Sequence, residues 1–510
     1  MCAAIHAWPL DWGLPSAHGW APDELTPAAV LDGLGQRFSN GWHSKYPPFH
    51  HAVLAAAYAP WISRAPDAAR THALFRVGRF VSVLMAAGIV VLVYLCGREL
   101  FDHLPALFAA LVAGLSAPLA YYAKLANLDV PYLFWFAAAL LAYLRLLQGH
   151  RLRHYVAMAV CAAAAIATKD QAYGLFVLTA PLVVWALHRH RVAAGAAPSL
   201  WATIGDRRLV AAAATAVLGV IALDNIWMNP GGFAAHVELI MGSASRDFRM
   251  FDRSAGGLLA LAAATARAIL FTLGVPASAA ALAGAVLAGA RWRENRRLLA
   301  TLVPALSYWV TFVAVVLYLY DRFVLPMALV LALFAGNALA AALARRRSML
   351  LPLAGAAAVV AASALRALSV DVLLARDSRY AVEAWLRENA APPAVVGAVG
   401  PLEYLPRLDG LRWRRLGPSI DRLRRVDPDV VVLNADFARR AAEGGSDAEL
   451  YEALAAGAVG YRLALAQPAS STLPFLDVAA LRSADATRVH SNIDKVGPTI
   501  LVYARHPSVR

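Results

Sequence analysis

Between Leu74 and Leu365 the apolar residues fall in separate blocks of roughly 18–23 residues, the length a helix needs to cross about 30 Å of hydrocarbon. A soluble chain of 510 residues would break its apolar residues into shorter, amphipathic segments. Composition points the same way. Hydrophobic residues make up 60% and charged residues 16%, where soluble domains carry about half and about a quarter. The blocks predict spans over Leu74–Cys96, Leu104–Tyr122, Leu128–Leu147, Tyr155–Thr168, Ala172–Leu187, Leu209–Met228, Ile269–Ala290, Leu298–Leu319, Phe323–Ala344 and Met349–Leu365. Gly256–Ala268 is also apolar, but Arg267 and the glycine pair point to an interfacial helix. The fold class is therefore a polytopic α-helical membrane protein of about ten spans.

The formal charge of +14 would suit a nucleic-acid binder, yet the arginines sit in short loops between apolar blocks rather than on a basic face interleaved with aromatics. Nucleic acid is excluded as a partner on that ground. With about ten spans, alternate loops face opposite sides. One set holds Arg151, Arg153, Arg189, Arg191, Arg207, Arg208, the arginines around Trp292 and the Arg345–Arg347 triplet. By the positive-inside bias this set is cytoplasmic. The opposite set holds the first seventy residues, Lys124, the Lys169-Asp170 turn, the Asn229–Ala255 loop, Asp321-Arg322 and everything after Arg366. This places the outer, water-facing chemistry at the face away from the arginines; the membrane expected is a bacterial inner membrane. Cys2, Cys96 and Cys161 form neither a disulfide framework nor a paired metal motif.

The first forty residues contain no sustained apolar core, so no cleavable signal peptide opens the chain. With the N-terminal segment outside and nothing before it to carry it across, either a first helix is missing, the favoured expectation, or the segment is translocated after the next span inserts. After Arg366 the pattern changes. A helix over Ser378–Glu388, strands over Ala394–Val399 and Asp429–Leu433, a helix over Asp447–Ala455 and strands over Tyr461–Ala466 and Thr499–Ala504 predict a small α/β domain outside the membrane. Ser491–Pro498 reads as a structured turn. The domain reading is residues 1–73 as an outer loop with interfacial helices, 74–366 as the membrane domain and 367–510 as the outer α/β domain.

Ionisable residues are not spread evenly over the two faces. The outer set carries acids and bases together: Asp23, Glu24, Lys45, Lys124, Asp129, Lys169, Asp170, Asp224, Asp321 and Arg322. Such a mixture suits a charged headgroup whose tail stays in lipid; solvated loop ends and snorkelling anchors are the plainer reading. The Asp23-Glu24 pair, in a loop rich in Pro and Trp, can supply a general base, or merely cap the helix that follows Leu25. Lys45, just before Pro47-Pro48, is placed to meet a phosphate, as is Arg79 near the outer end of the first span. Arg79 could equally pair with a loop acid.

These residues occur in a familiar order: Asp23-Glu24, Lys45-Tyr46-Pro47-Pro48, Arg79-Phe80-Val81-Ser82, Asn127-Leu128-Asp129-Val130-Pro131, Thr168-Lys169 and Asp321-Arg322-Phe323-Val324-Leu325-Pro326. The chain resembles the GT-C glycosyltransferases, in particular the branch of the protein O-mannosyltransferases and lipid A aminoarabinose transferases. The resemblance covers roughly Pro22 to Ala344, and an outer α/β domain also fits that architecture. It implies inverting transfer of a sugar from a polyprenyl- or dolichyl-phosphate donor to a hydroxyl acceptor on protein, lipid or glycan. Asp23 or Glu24 would deprotonate the acceptor. Lys45, Arg79 and Arg322 would neutralise the departing phosphate, and Asp129 with Lys169 would orient the acceptor or the loop.

Ser44 stands where some lipid A-modifying relatives carry a metal-binding acid. No cofactor or metal is therefore expected, although His43, His50, His51 and His236 are possible ligands of a divalent cation. The competing function is a transporter or flippase of a lipid-linked sugar. Such proteins commonly show internal repeats with charges near the midplane, and here the polar residues gather at one face.

Overall fold

The computed structural model describes residues 1–35, 45–63, 67–242, 246, 248–345, 349–436, 448–478 and 489–506. Two compact units are present. The first comprises Met1–Leu10, Pro27–Leu368 and Ser483–Ser491, the second Asp11–Thr26, Ser369–Arg482 and Asn492–Arg510. The stretch 1–73, read above as a single outer loop, is thus shared between them.

The helical unit is built on α1 (Asp67–Arg98), α2 (His103–Gly114), α3 (Asp129–Gly149), α4 (Leu152–Thr168), α5 (Thr179–Ala193) and α6 (Arg207–Leu223). It continues through α7 (Ala255–Leu273), α8 (Val275–Ala290), α9 (Leu302–Tyr308, carried on by a wider turn over Trp309–Val313), α10 (Leu325–Arg345) and α11 (Leu350–Ala375). Among the described residues, seven helical stretches are long and apolar enough to cross a membrane, and α2, α4 and α8 are shorter apolar helices. The chain is a polytopic helical membrane protein, as the apolar blocks indicate.

Contacts between helix ends separate two faces. At one, Arg145 pairs with Glu99 at 2.8 Å, the Tyr143 hydroxyl donates to the Ala300 carbonyl at 3.2 Å, and Arg191 pairs with Asp206 at 2.6 Å. These join the arginine-rich loops. At the other, the Tyr122 hydroxyl reaches Asp321, Lys169 reaches Asp129, and the Met250 and Phe251 amides donate to the Leu317 carbonyl. Each of these contacts joins loops that fall in the same charge-sorted set.

Boundaries differ from the sequence reading in several places, two of which redirect the chain. The second apolar block is broken after α2: Ser116 is extended and Ala117–Tyr122 forms a separate short helix. Pro118, near its start, lacks an N–H and cannot continue a helix entered from the preceding turn. The block Ile269–Ala290 is broken at Gly274, whose φ of +79° suits a residue without a Cβ, and the Arg366 side chain fills the space a Cβ would need. Helix α7 consequently absorbs the apolar stretch Gly256–Ala268. Its lead-in is bonded to Leu317, and the Phe271 carbonyl near its end accepts from Arg366. Arg366 lies about 24 Å along α11 from its start beside the arginine-rich loop. Helix α7 is one of the seven stretches long and apolar enough to cross a membrane, where the sequence reading expects an interfacial helix. Where α8 crosses α10, Asn337 donates to the Gly284 carbonyl at 2.8 Å, and Phe334 leaves no room for a Cβ on Gly284. Small residues permit such close approach where helix packing, not water, drives association.

The second unit is an α/β domain, as expected. Strands β1 (Val395–Val399), β2 (Arg412–Arg415), β3 (Val430–Asn434), β4 (Tyr461–Gln467) and β5 (Ile500–Arg505) form a sheet in the order β2-β1-β3-β5-β4. β1 is parallel to β2 and β3, whereas β5 is antiparallel to β3 and β4. Alternate residues of β3 enter different cores, Val430 and Val432 on one side with Val382 and Leu386, Val431 and Leu433 on the other with Leu423 and Leu454. Burial on both sides explains the unbroken apolar run of that strand.

Segment Asp11–Thr26 packs into this unit. The Trp12 indole donates to Asp377 at 3.0 Å. Arg379 makes two hydrogen bonds to the same carboxylate at 2.9 and 2.7 Å, and its guanidinium lies 4.2 Å over the Trp20 ring.

Candidate active site

Helix α3 begins at a buried acid. The Asn127 side chain accepts from the Asp129 amide at 3.1 Å, satisfying one of the donors left open at a helix start, and sets Asp129 in the first turn. Helix α4 ends where Lys169 turns extended, at φ −156° and ψ 118°. That turn carries its ammonium to Asp129 at 2.6 Å. Arg322 lies in the short turn Asp321–Val324 ahead of α10, with Nη1 3.9 Å from the other Asp129 oxygen and its guanidinium 4.4 Å from the Tyr320 ring centre. All three charged side chains are at most 9% exposed. Three separate loops thus bring one carboxylate and two cations together.

A second carboxylate stands beside them. Asp321 accepts from the Tyr122 hydroxyl at 3.0 Å and from the Ser491 hydroxyl at 2.6 Å, and its amide donates to the His490 carbonyl at 2.8 Å. The hydroxyls of Tyr132 and Tyr308 and the Gln171 side chain are buried together near Asp129, with Tyr132 facing both of the others. Grouped beside two cations, they give this buried cluster a polar lining. A little further on, His236 meets Asp170 at 3.1 Å, with Asp224 buried nearby.

The sequence-derived candidates separate in space. Asp129, Lys169 and Arg322 meet. Arg79 is fully buried in α1 and donates to the Leu10 carbonyl at 2.7 Å. Lys45 is exposed, 5.4 Å from the ring centre of its neighbour Tyr46. Asp23 and Glu24 belong to the second unit, Asp23 at a φ of +63° and Glu24 in the turn closed by its amide on the Ala21 carbonyl. Of the histidines considered for a metal, His236 is engaged with Asp170, and burial together with His51 holds His50 down at about 3. His43, like Ser44, lies outside the described residues. Sequence reasoning overlooked the roles of Tyr122 and Ser491; only Asp321, singled out by charge, pointed toward them.

Fold and site together define an integral membrane protein with a buried, charged cluster at the face away from its arginine-rich loops, and with an appended α/β domain. Residues 58–221 match the family described as dolichyl-phosphate-mannose-protein mannosyltransferase. That segment contains Arg79, Asp129 and Lys169. No curated protein matches the chain. Among solved structures, it is similar to the oligosaccharyltransferase AglB of Archaeoglobus fulgidus in complex with an inhibitory peptide and a dolichol-phosphate (12% identity, TM-score 0.48, covering 99% of this chain and 87% of that one). Similarity also extends to ArnT of Cupriavidus metallidurans bound to undecaprenyl phosphate (16% identity, TM-score 0.47, 87% and 94% covered). The Pmt1-Pmt2 protein O-mannosyltransferase complex of S. cerevisiae bound to the sugar donor matches over 49% of this chain and 35% of that one, at 16% identity and a TM-score of 0.31.

Proposed function

We propose that this chain is an inverting glycosyltransferase that moves a sugar from a polyprenyl-phosphate donor to a hydroxyl acceptor on protein, lipid or glycan at the outer, periplasmic face of a bacterial inner membrane. The observation that carries the reading is the buried meeting of Asp129 with Lys169 and Arg322 at the face opposite the arginine-rich loops. A phosphate leaving group needs preorganised positive charge in a site where water does not screen it, and two cations share one carboxylate there. Family similarity over residues 58–221 supports the same chemistry.

In this mechanism the acceptor oxygen attacks the anomeric carbon from the side opposite the phosphate. The bond from that carbon to the phosphate oxygen breaks, and its electrons stay on the leaving polyprenyl phosphate. Arg322 stabilises the developing charge, together with Lys45 and Arg79, the cations assigned by resemblance. Asp129 holds Lys169 and orients the acceptor or its loop. Asp23 or Glu24 takes the acceptor's proton as general base.

The test is donor consumption by detergent-solubilised, full-length protein given a radiolabelled polyprenyl-phosphate sugar and membrane extract as acceptor. Transfer is expected for the native chain and a large loss for Arg322→Ala. Wild-type rates in both Asp23→Asn and Glu24→Gln would remove the base assignment. Absence of donor consumption in detergent, with movement of the donor across sealed vesicles, would favour the transport reading, since detergent abolishes vectorial movement but not glycosyl transfer.

A further inference from the structure

The arginine-rich end of the helical unit holds a feature the proposed chemistry does not use. Between α4, α5 and α6 lies a cavity of about 890 Å³, at the upper end of the roughly 300–1,000 Å³ typical of small-molecule sites. Its walls are apolar along their length, with Met158, Ala162, Phe176, Val184 and Val217 among them. Tyr155 supplies the one hydroxyl among the described lining residues. Helix α6 forms one wall, yet none of its residues is fully buried. In a membrane, such a surface is covered by hydrocarbon.

One end of the cavity is polar. The Tyr155 hydroxyl bonds His150 Nδ1 at 2.8 Å, and the His150 ring stacks on His190 with centres 4.3 Å apart. Ile204 and Leu209, both lining residues, flank the turn Asp206–Arg208. There Arg191 and Arg208 approach Asp206 at 2.6 and 3.8 Å, and Arg207 is exposed beside them. Among the described residues at this turn, the one carboxylate, Asp206, is outnumbered by the guanidinium groups of Arg191, Arg207 and Arg208. Burial, with His190 and Arg208 nearby, holds His150 down at about 4, so its imidazole is neutral and leaves the positive charge to the arginines.

We propose that this cavity is a binding site for an anionic phospholipid, its acyl chains between α4, α5 and α6 and its phosphate at Arg191, Arg207 and Arg208. Charge complementarity calls for an anionic lipid, and the position of the arginines sets that lipid apart from the sugar donor. Tyr155, on α4, and Lys169, just past its end, are fourteen residues apart, about 21 Å along the helix axis. A donor whose phosphate sits at the Lys169 end would leave these arginines unused, whereas a phospholipid of the leaflet at the arginine-rich face meets both the apolar walls and the basic mouth.

Native mass spectrometry of the delipidated full-length protein, titrated separately with phosphatidylglycerol and phosphatidylcholine, tests the assignment. Phosphatidylglycerol is expected to bind more tightly, by roughly tenfold or more. The preference should vanish in the doubly substituted Arg191→Ala, Arg208→Ala protein and persist in Arg208→Lys. Ala213→Phe, which fills the cavity, should weaken both lipids, while Arg412→Ala in the α/β unit should change neither. Equal binding of the two lipids by the native protein, or a preference untouched by the double substitution, overturns the proposal. So does displacement of phosphatidylglycerol by undecaprenyl phosphate with the same dependence on these arginines, which would give the cavity to the donor. Arg208→Lys keeps the outcome readable should the double variant misfold.

Discussion

Arg379 sits between Asp377 and Trp20, bonded twice to the carboxylate and stacked at 4.2 Å on the indole. One guanidinium thereby joins the start of the first α/β-unit helix to a segment near the N-terminus. Trp12 donates to the same carboxylate, and Trp20 also packs on Tyr380 at 4.8 Å. A cation over an aromatic face gains most when desolvated, and Arg379 is fully buried. This packing holds the loop that carries Asp23 and Glu24.

Trp20→Ala should therefore destabilise the second unit by about 3–5 kcal/mol, the usual cost of removing a buried large aromatic side chain. Trp20 is 2% exposed. Gly13→Ala should act in the same direction, because Gly13 has a φ of +70° and an added Cβ would lie 2.8 Å from the Trp20 ring. Thermal unfolding followed by tryptophan fluorescence in detergent checks both. A Trp20→Ala protein that melts with the native one would show that the segment is not held this way.

The Asp129–Lys169–Arg322 cluster predicts an unequal double-mutant cycle. Asp129→Asn leaves two buried cations without their shared carboxylate, and breaking a buried pair in this way costs about 3–5 kcal/mol. Lys169→Met leaves Asp129 with Arg322 at 3.9 Å and should cost less. The double variant should be more stable than the sum of the single effects by about 1–3 kcal/mol. Unfolding of the native protein and the three variants measures this; strict additivity would mean that the pair contributes nothing to the fold.

The apolar blocks alone carry the helical architecture, because crossing hydrocarbon imposes a length visible in any sequence window. The breaks at Ser116 and Gly274 are less legible, since alanine-rich sequence runs through both and the decisive packing of Arg366 on Gly274 is remote in the chain. In the second unit, β1, β3, β4 and β5 follow their hydrophobic runs. β2 escaped notice because Arg412-Trp413-Arg414-Arg415 is an edge strand with exposed arginines, the kind of strand apolar patterning overlooks. For the site, charge placed Asp129, Lys169 and Arg322 on one face but not in one cluster. Partners such as Trp20 with Arg379, and Ser491 with Asp321, depend on tertiary packing that no local spacing encodes.

Ser491 and Tyr122 both donate to the buried Asp321 carboxylate. Hydrogen bonds to charged groups contribute about 1.5–3 kcal/mol, and removing one partner leaves the other underserved. Ser491→Ala and Tyr122→Phe should each lower stability by that order. Both should also weaken donor binding if Asp321 positions its neighbour Arg322, raising the donor KM more than they lower kcat. Steady-state kinetics with varied donor concentration separates the two effects; unchanged KM in both variants would confine Asp321 to a structural role.

Stability should also fall in mild acid. Burial holds His6 at about 4 and His50 at about 3, against about 6.5 for a histidine in the unfolded chain. Between those limits the unfolded chain binds more protons than the folded one, so stability rises with pH. It is fully present above about 6.5 and is lost as pH falls toward about 4, where the buried rings must take up charge without solvent. His50 is expected to contribute most, since both ring nitrogens are buried without a hydrogen-bond partner among the described residues. His50→Leu should keep the melting temperature nearly native at pH 7.5 and reduce its decline between pH 6.5 and 4.5. A decline as steep as that of the native protein would show that other groups, chiefly carboxylates, set the acid limit.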